Sequence, residues 1–235
     1  MPAPPVRALV FDVFGTLVDW RGSLVRAFER FGAERGIACD FGALVDAWRG
    51  AYLPSLDRVR SGARPWAILD VLHAESLDVL IQQFGLEGLD ARDRQWMVAQ
   101  WHALDPWPDV KGGLERLRAR HVLATLSNGN VSLLVDLARY GDLRFDAILS
   151  AELFRHYKPD PETYLGACTL LGCAPAEVMM VAAHPSDLRA AAACGLRTAL
   201  VVRLDEYGPA RRNNPPLDAA ADLTACDLDE LADAY

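Results

Sequence analysis

Residues 6–17 read VRALVFDVFGTL, and this stretch decides the fold that we expect. Its first part, 6–12, is a nearly continuous apolar run that ends at an acid, which is typical of a strand buried on both faces of a parallel sheet. Three later runs have the same character: 121–126, 178–183 and 197–202. Segments with helical periodicity lie between these runs: 112–118, 132–140, 161–171 and 187–194. Strands that alternate with helices predict an α/β fold whose parallel sheet is covered by helices on both faces.

The segment 20–104 has a different pattern. It shows helical periodicity and few strand-like runs, so we predict an all-helical insert of four or five helices. The chain returns to the sheet at 105–108, where the two prolines of DPWP favour an extended connection. An insert directly after the first strand lies over the mouth of the sheet. We therefore predict a core domain formed by 1–19 and 105–235, and a helical cap domain formed by 20–104.

Composition and charge restrict the class of protein. With 235 residues, 51% of them hydrophobic, the chain can form one large core or a core with a smaller insert. A formal net charge of −8 repels polyanions, so we expect no nucleic-acid partner. No run approaches the length of about 18 apolar residues that a membrane span needs. The N-terminal residues do not resemble a signal peptide, and the five cysteines are scattered without CxxC spacing, so we expect a cytoplasmic protein. A homodimer is left open.

Polar residues follow three of the predicted strands. Asp12 ends the first strand, Ser127 and Asn128 follow the second, and Asp187 follows the third. Ligands of parallel α/β sheets bind outside the carboxyl ends of the strands, so these side chains are candidates for a site. Lys158 precedes a predicted helix and supplies a cation. An acid after a strand can also serve only as a helix cap, so the argument depends on the set as a whole.

Four segments together carry a family resemblance: FDVFGTL, SNG at 127–129, YKPDPETY at 157–164 and MMVAAHPSDLRAAAACG at 179–195. In order and spacing they resemble the haloacid dehalogenase superfamily, and most of all its type II L-2-haloacid dehalogenases. The resemblance implies a Rossmann-like parallel-sheet core with a helical cap inserted after the first strand. It also implies hydrolytic dehalogenation of small 2-haloalkanoic acids through an aspartyl ester, giving 2-hydroxy acids and halide. Fluoroacetate is left open as a substrate.

The resemblance also implies a role for each matching residue. Asp12 attacks the carbon that bears the halogen, Thr16 orients Asp12, and Lys158 keeps it ionised. The side chains of Ser127 and Asn128 hold the substrate carboxylate. The backbone amides of Val13 and Phe14 also contribute to holding it. Tyr164 matches a family tyrosine in spacing, and packing on the core is its open alternative.

Arg49 is the candidate residue of the helical insert. Five apolar residues define a stripe at helical spacing: Phe41, Leu44, Val45, Trp48 and Tyr52. Arg49 lies at the edge of this stripe, where its stem can pack while the guanidinium extends outward. The pair of Trp48 and Arg49 resembles the cap pair of the family, whose arginine binds the departing halide. A role as an ordinary surface residue is the alternative.

Phe14 favours a dehalogenase over a phosphatase. In the phosphatases of the superfamily this position carries a second Asp, which protonates the leaving alkoxide, and its loss costs roughly two to four orders of magnitude in rate. A halide leaves without a proton, so a dehalogenase does not need this acid. The acid also stands near the usual magnesium position, so no metal and no other cofactor is implied. The open alternatives are a magnesium-dependent phosphatase acting on a small phosphate ester, and a non-catalytic binding protein.

One motif departs from the family pattern. The resembled dehalogenases commonly carry Ser, Asn and Asp at the positions of Ala182, His184 and Asp187. Asp187 fits, but Ala182 cannot form a side-chain hydrogen bond, so the group that activates the hydrolytic water is open. His184 has an ordinary pKa near 6.5 and is a candidate general base. A donor to the halide and a purely structural histidine are its alternatives.

Overall fold

The sheet has the predicted parallel arrangement. The computed structural model of the protein describes residues 5–86, 88–208, 210–212 and 221–235. Within these ranges six strands form one sheet: β1 (Ala8–Phe11), β2 (Val122–Ser127), β3 (Ala147–Ser150), β4 (Val178–Ala182), β5 (Arg197–Val201) and β6 (Leu223–Ala225). Their order is β3-β2-β1-β4-β5-β6, and all neighbouring strands are parallel. The prediction of an α/β fold with a Rossmann-like core is confirmed.

Ten α-helices accompany the sheet in the described ranges. Four follow β1 directly: α1 (Trp20–Arg35), α2 (Phe41–Arg60), α3 (Leu69–Gln83) and α4 (Ala91–Ala99). Six lie among or after the later strands: α5 (Val110–Arg118), α6 (Val131–Tyr140), α7 (Ala151–Phe154), α8 (Pro161–Leu171), α9 (Pro185–Ala193) and α10 (Leu228–Ala234). The helical content expected between 20 and 104 is therefore present, while the division into core and cap domains at these bounds stays a prediction.

Local sequence explains where the site-bearing helices begin. The side chain of Asp40 accepts a hydrogen bond of 2.9 Å from the backbone amide of Ala43, which caps the start of α2. Pro161 occupies the first turn of α8, where its missing N–H costs nothing. Both helices deliver residues to the site described below.

An apolar cluster covers one face of the sheet and extends into the helical insert. Leu9 and Phe11 of β1 belong to the same buried apolar cluster as Trp48 of α2 and Leu72 of α3. A second cluster covers the opposite face, where Val10 of β1 packs with residues of β4 and α8. The central strand is therefore buried on both faces, which explains its unbroken apolar run.

The position of β1 determines where a ligand can bind. It pairs with β2 on one side and with β4 on the other, so the chain leaves it in opposite directions. A crevice opens outside the carboxyl ends of the strands at such a switch point. Asp12, Asn128 and His184 follow β1, β2 and β4 at this edge.

The strands that the sequence analysis did not predict are short or peripheral. β3 has four residues and β6 has three, and β6 forms one edge of the sheet. The first strand is shorter than predicted: the apolar run covers 6–12, whereas β1 comprises only Ala8–Phe11. None of the helices in the described ranges combines the length and the apolar character that crossing a membrane requires.

Candidate active site

Asp12 is the centre of the site. It follows β1 directly and is only 7% exposed. The hydroxyl of Thr16 donates to Asp12 Oδ2 at 2.8 Å and accepts the backbone N–H of Ala183 at 2.9 Å. Lys158 Nζ donates to Asp12 Oδ1 at 3.0 Å. Both carboxylate oxygens are therefore held in place, Oδ2 by the loop that contains Asp12 and Oδ1 by the distant Lys158.

Lys158 joins Asp12 to a second acid. Its ammonium also donates to Asp187 Oδ2, and the hydroxyl of Tyr164 donates to Asp187 Oδ1. The backbone N–H of Lys158 donates to Asn128 Oδ1 at 2.7 Å, which fixes the lysine loop against the end of β2. The structure thus brings together five of the residues that the sequence singled out, and Tyr164 is both buried and in contact with an acid of the site.

The electrostatics of the site favour an ionised Asp12. Burial alone would raise the pKa of Asp12, but the charges of Lys158 and His184 outweigh it and hold this pKa well below its usual range. Burial likewise opposes the charge on Lys158, and the two neighbouring carboxylates raise its pKa above the usual value. Burial raises the pKa of Asp187. Asp12 is the member of this acid pair that carries negative charge most readily.

His184 lies between two acids. Its Nδ1 is 3.1 Å from Asp12 Oδ2, and its Nε2 is 2.9 Å from Oε1 of Glu206. Burial disfavours the charged ring, but the hydrogen bonds to Asp12 and Glu206 outweigh it and raise the pKa of His184 to about 10. This raised pKa favours the form of His184 that carries a proton on each ring nitrogen at neutral pH. A base must be neutral, so a base role needs a step that first removes one of these protons.

The end of β2 contributes Ser127 and Asn128. Ser127 is fully buried, and its hydroxyl accepts the backbone N–H of Gly129 at 3.2 Å. Asn128 Nδ2 donates to the hydroxyl of Tyr52 on α2 at 3.1 Å. Asn128 therefore touches the lysine loop with one end of its amide and the helical insert with the other.

Arg49 reaches the site from α2. Its guanidinium carbon lies 4.4 Å from the centre of the Tyr52 ring and 5.3 Å from that of the Trp20 ring. Among the described residues, its Nη1 atom is buried without a hydrogen-bond partner. A buried donor on a cation that lacks a partner is suited to receive an anionic ligand.

A cavity of about 600 Å³ connects these groups. Its wall includes Asp12, Phe14, Arg49, Asn128, Lys158, Tyr164, His184 and Asp187. The ring of Phe14 is 3% exposed and lies edge-on to Trp101 at a centroid distance of 5.9 Å, so it supplies an apolar wall. Val13, Thr16 and Ser127 are buried behind this surface.

The donor set does not suit magnesium. Mg²⁺ prefers octahedral oxygen ligands that are free to coordinate it. The oxygens of Asp12 already face Lys158, Thr16 and His184, and those of Asp187 face Lys158 and Tyr164. The ammonium thus occupies the space between the two carboxylates that a metal would need, and no step below depends on a metal.

Two contacts of the site were absent from the sequence analysis. Glu206 lies in the turn after β5 and is fully buried, and no periodicity marks a turn residue. The available signal was its position a few residues after 197–202, the fourth strand predicted from the sequence. Tyr52 was assigned to the apolar stripe of α2, because the sequence does not indicate that its hydroxyl faces Asn128.

A family model described as haloacid dehalogenase-like hydrolase matches residues 6–195. The chain belongs to this family. The hydrolase is 34% identical over 207 residues to (S)-2-haloacid dehalogenase 1 of Pseudomonas sp. (strain CBS-3), covering 86% of this chain and 87% of the relative. The phosphoglycolate phosphatase of Thiobacillus denitrificans is 28% identical over 195 residues, 81% of each chain. The family resemblance noted in the sequence is therefore confirmed.

Solved structures agree with this assignment. The hydrolase superposes on the crystal structure of an L-2-haloacid dehalogenase with a TM-score of 0.91 and 48% identity, over 97% of this chain and 98% of the other. It superposes on a defluorinating L-2-haloacid dehalogenase with a TM-score of 0.94 and 40% identity, over 97% and 94% of the two chains. These similarities favour the dehalogenase interpretation over the phosphatase alternative.

Proposed function

We propose that the protein hydrolyses the carbon–halogen bond of small 2-haloalkanoic acids and releases the 2-hydroxy acid and halide. One observation carries the proposal: an ionised, buried Asp12 shares its cavity with the apolar ring of Phe14. The carboxylate can attack carbon, while no second acid stands two residues later to protonate a leaving alkoxide. The relatives named above as haloacid dehalogenases support the same assignment.

In the first step an oxygen of Asp12 forms a bond to the carbon that carries the halogen. The carbon–halogen bond breaks, its electron pair leaves with the halide, and the carbon inverts. Oδ1 of Asp12 is the better candidate for this attack, since Lys158 is its one hydrogen-bond donor within the described ranges, whereas Oδ2 faces both Thr16 and His184. The product of this step is an ester of Asp12.

Two cations fit the charges of the substrate and the leaving group. Lys158 lies beside the nucleophile, and Asn128, which lines the same cavity, is assigned to the substrate carboxylate. Arg49, whose Nη1 has no hydrogen-bond partner within the described part of the chain, is assigned to the departing halide. Both cations line the cavity, so a small anion is accepted locally although the chain as a whole is acidic.

The second step is hydrolysis of the ester by water at the Asp12 carbonyl carbon. The bond from this carbon to the substrate oxygen breaks, and Asp12 is regenerated as a carboxylate. The hydroxyl oxygen of the first product molecule is therefore an oxygen of Asp12, and the oxygen of water remains on the enzyme. Cytoplasmic location and the absence of a nucleic-acid partner stay predictions, and the question of a homodimer stays open.

A panel of substrates tests the proposal. Chloro-, bromo- and fluoroacetate and both enantiomers of 2-chloropropionate are incubated with enzyme, with and without EDTA, and halide is measured. We expect halide release from the (S) enantiomer, unchanged by EDTA. Fluoroacetate is included because a defluorinating enzyme is among the similar structures. Phosphoglycolate with magnesium is the rival substrate: phosphate release together with no halide from any member of the panel would overturn the assignment.

A further inference from the structure

The most unusual acid of the chain is Glu206. Its side chain is fully buried, and its Oε1 lies 2.9 Å from Nε2 of His184 and 3.3 Å from the indole Nε1 of Trp20. Nothing in the reaction described so far uses it. A buried carboxylate is costly unless it is paired, so its presence beside the active-site histidine requires an explanation.

The nucleophile loop is shaped to admit this carboxylate. Gly15 has a φ of +83°, and a Cβ atom at this position would lie 2.3 Å from Glu206 Oε1. Any side chain here would therefore displace the acid from His184. Gly15 thus contributes both the left-handed turn after Asp12 and the space in which Glu206 approaches the ring.

We propose that Glu206 is a positioning residue for ester hydrolysis: it keeps a proton on Nε2 of His184, so that Nδ1, which faces Asp12, removes the proton from the hydrolytic water. This assignment rests on the proposed function, since it concerns the second step of that reaction. The arrangement corresponds in its logic to an acid that fixes the tautomer of a catalytic histidine.

Other candidates for the base are already engaged. Both oxygens of Asp187 accept hydrogen bonds, from Lys158 and Tyr164. Lys158 is charged and has no lone pair to accept a proton. Ala182 has no polar side chain. Of the site groups in the described chain, His184 alone combines a ring nitrogen directed at Asp12 with a partner that fixes the opposite nitrogen.

The charge on Asp12 controls when His184 becomes a base. Two acids face the ring from two loops, Asp12 and Glu206, while Lys158 and Asp187 lie at the other oxygen of Asp12. Formation of the ester removes the negative charge of Asp12, and with it one of the two interactions that hold the second proton on the ring. His184 then releases its Nδ1 proton to solvent.

The proton balance of the whole reaction follows from this order. Neutral His184 takes a proton from water as hydroxide adds to the ester carbonyl carbon. The tetrahedral intermediate expels the 2-hydroxy acid as an alkoxide, which the His184 imidazolium protonates. Asp12 leaves this step as a carboxylic acid and returns its proton to Nδ1 of His184. One halide and one proton are released per turnover, and the proton leaves from His184 between the two steps.

Glu206→Gln tests the role of the acid, with the exposed Glu115→Gln as matched control. Ester formation and decay are followed by rapid quench and intact-protein mass spectrometry. We expect ester formation within about threefold of wild type and hydrolysis slower by about 100-fold or more, the scale of a general base, so that the ester accumulates. Equal slowing of both steps, or no slowing of hydrolysis, would overturn the proposal.

A double variant shows whether Glu206 acts through His184. His184→Asn alone should also accumulate ester, and adding Glu206→Gln to it should cause no further slowing of hydrolysis, because the positioned group is already gone. Additive slowing would mean that Glu206 acts by another route and would refute the positioning role.

Two measurements separate this proposal from the proposed function. Nitrogen-15 NMR of the His184 ring, recorded without substrate, should give a lower pKa in Glu206→Gln than in wild type. A pH indicator should report one proton released by wild-type enzyme with the halide burst, before hydrolysis, and this readout stands even if the variant does not fold. Normal ester formation without early proton release refutes the positioning role alone, whereas no halide from any substrate refutes the proposed function.

Discussion

Replacing Arg49 by Lys is the sharpest test of the site, because it keeps the charge and changes the geometry. The guanidinium lies against the rings of Tyr52 and Trp20 at 4.4 and 5.3 Å, and its Nη1 is buried without a partner among the described residues. A lysine ammonium has neither the planar fork nor the stacking surface. We therefore expect it to stop short of the halide position or to approach it with fewer donors.

The expected magnitude follows from the contacts that are lost. A hydrogen bond to a charged group contributes about 1.5–3 kcal/mol, and the stacking of the cation on aromatic rings contributes about 0.5–2 kcal/mol. A combined loss of about 2–5 kcal/mol in the transition state corresponds to a rate lower by about 30-fold to about 5000-fold. The halide carries its full charge only as the bond breaks, so kcat should fall more than KM rises.

The assay is halide release from 2-chloropropionate under steady-state and single-turnover conditions. The control is Arg58→Lys, an exposed residue of the same helix that does not line the cavity. Only the first step should slow, so the ester should not accumulate in Arg49→Lys. Activity of Arg49→Lys within twofold of wild type would refute the halide role and leave Arg49 as a packing residue of α2.

Three further predictions concern the nucleophile and its neighbours. Asp12→Asn should lose essentially all activity while folding normally, and single-turnover hydrolysis in heavy-oxygen water should place the label on Asp12 of the wild type; label in the first product molecule would contradict the ester. Thr16→Val should lower the unfolding free energy by about 2–4 kcal/mol, since it removes a hydrogen bond to a charged group and leaves the backbone N–H of Ala183 buried without its acceptor. A urea midpoint equal to that of the control Thr169→Val, at an exposed position, would contradict this. The pKa of His184 is raised to about 10 in the folded protein. Its ion pairs therefore stabilise the folded state fully below about pH 6.5, and this stabilisation is lost as the pH rises through about 10. The unfolding free energy of His184→Asn, measured with urea, should not show this decrease at alkaline pH.

The sequence predicted the parts of the fold that burial makes visible. β1 and β4 are buried at every position, so their apolar runs stand out. β3 is only half-buried at its first two positions, and β6 has three residues, so neither forms a run that can be distinguished from a loop. The short helix α7 lies directly after β3 and shares its weak pattern.

The site was predictable to the same extent and for a related reason. Residues that follow buried strands meet at one edge of the sheet, so Asp12, Asn128 and Asp187 could be grouped from the sequence. Glu206 could not, because it enters from a turn whose path depends on how the chain packs after β5. Hydrogen bonds to Asp12 and to Glu206 together raise the pKa of the His184 ring, so the charge state of the histidine could not be read from its residue type.

In the proposed mechanism the nucleophile Asp12 follows β1, whereas the leaving-group donor Arg49 lies on α2. Asp12 is held by Thr16 and Lys158, both in the part of the chain predicted to form the core, so its donors are in place before substrate arrives. Arg49 belongs to α2, and its Nη1 donor is unused by any residue that the structure describes. In the proposed mechanism the attack geometry is therefore fixed at the edge of the sheet, while the fit to the halogen depends on α2. Substitutions on the inner face of α2 should change the ratio of fluoride, chloride and bromide release, whereas substitutions that loosen Asp12 should slow all three together.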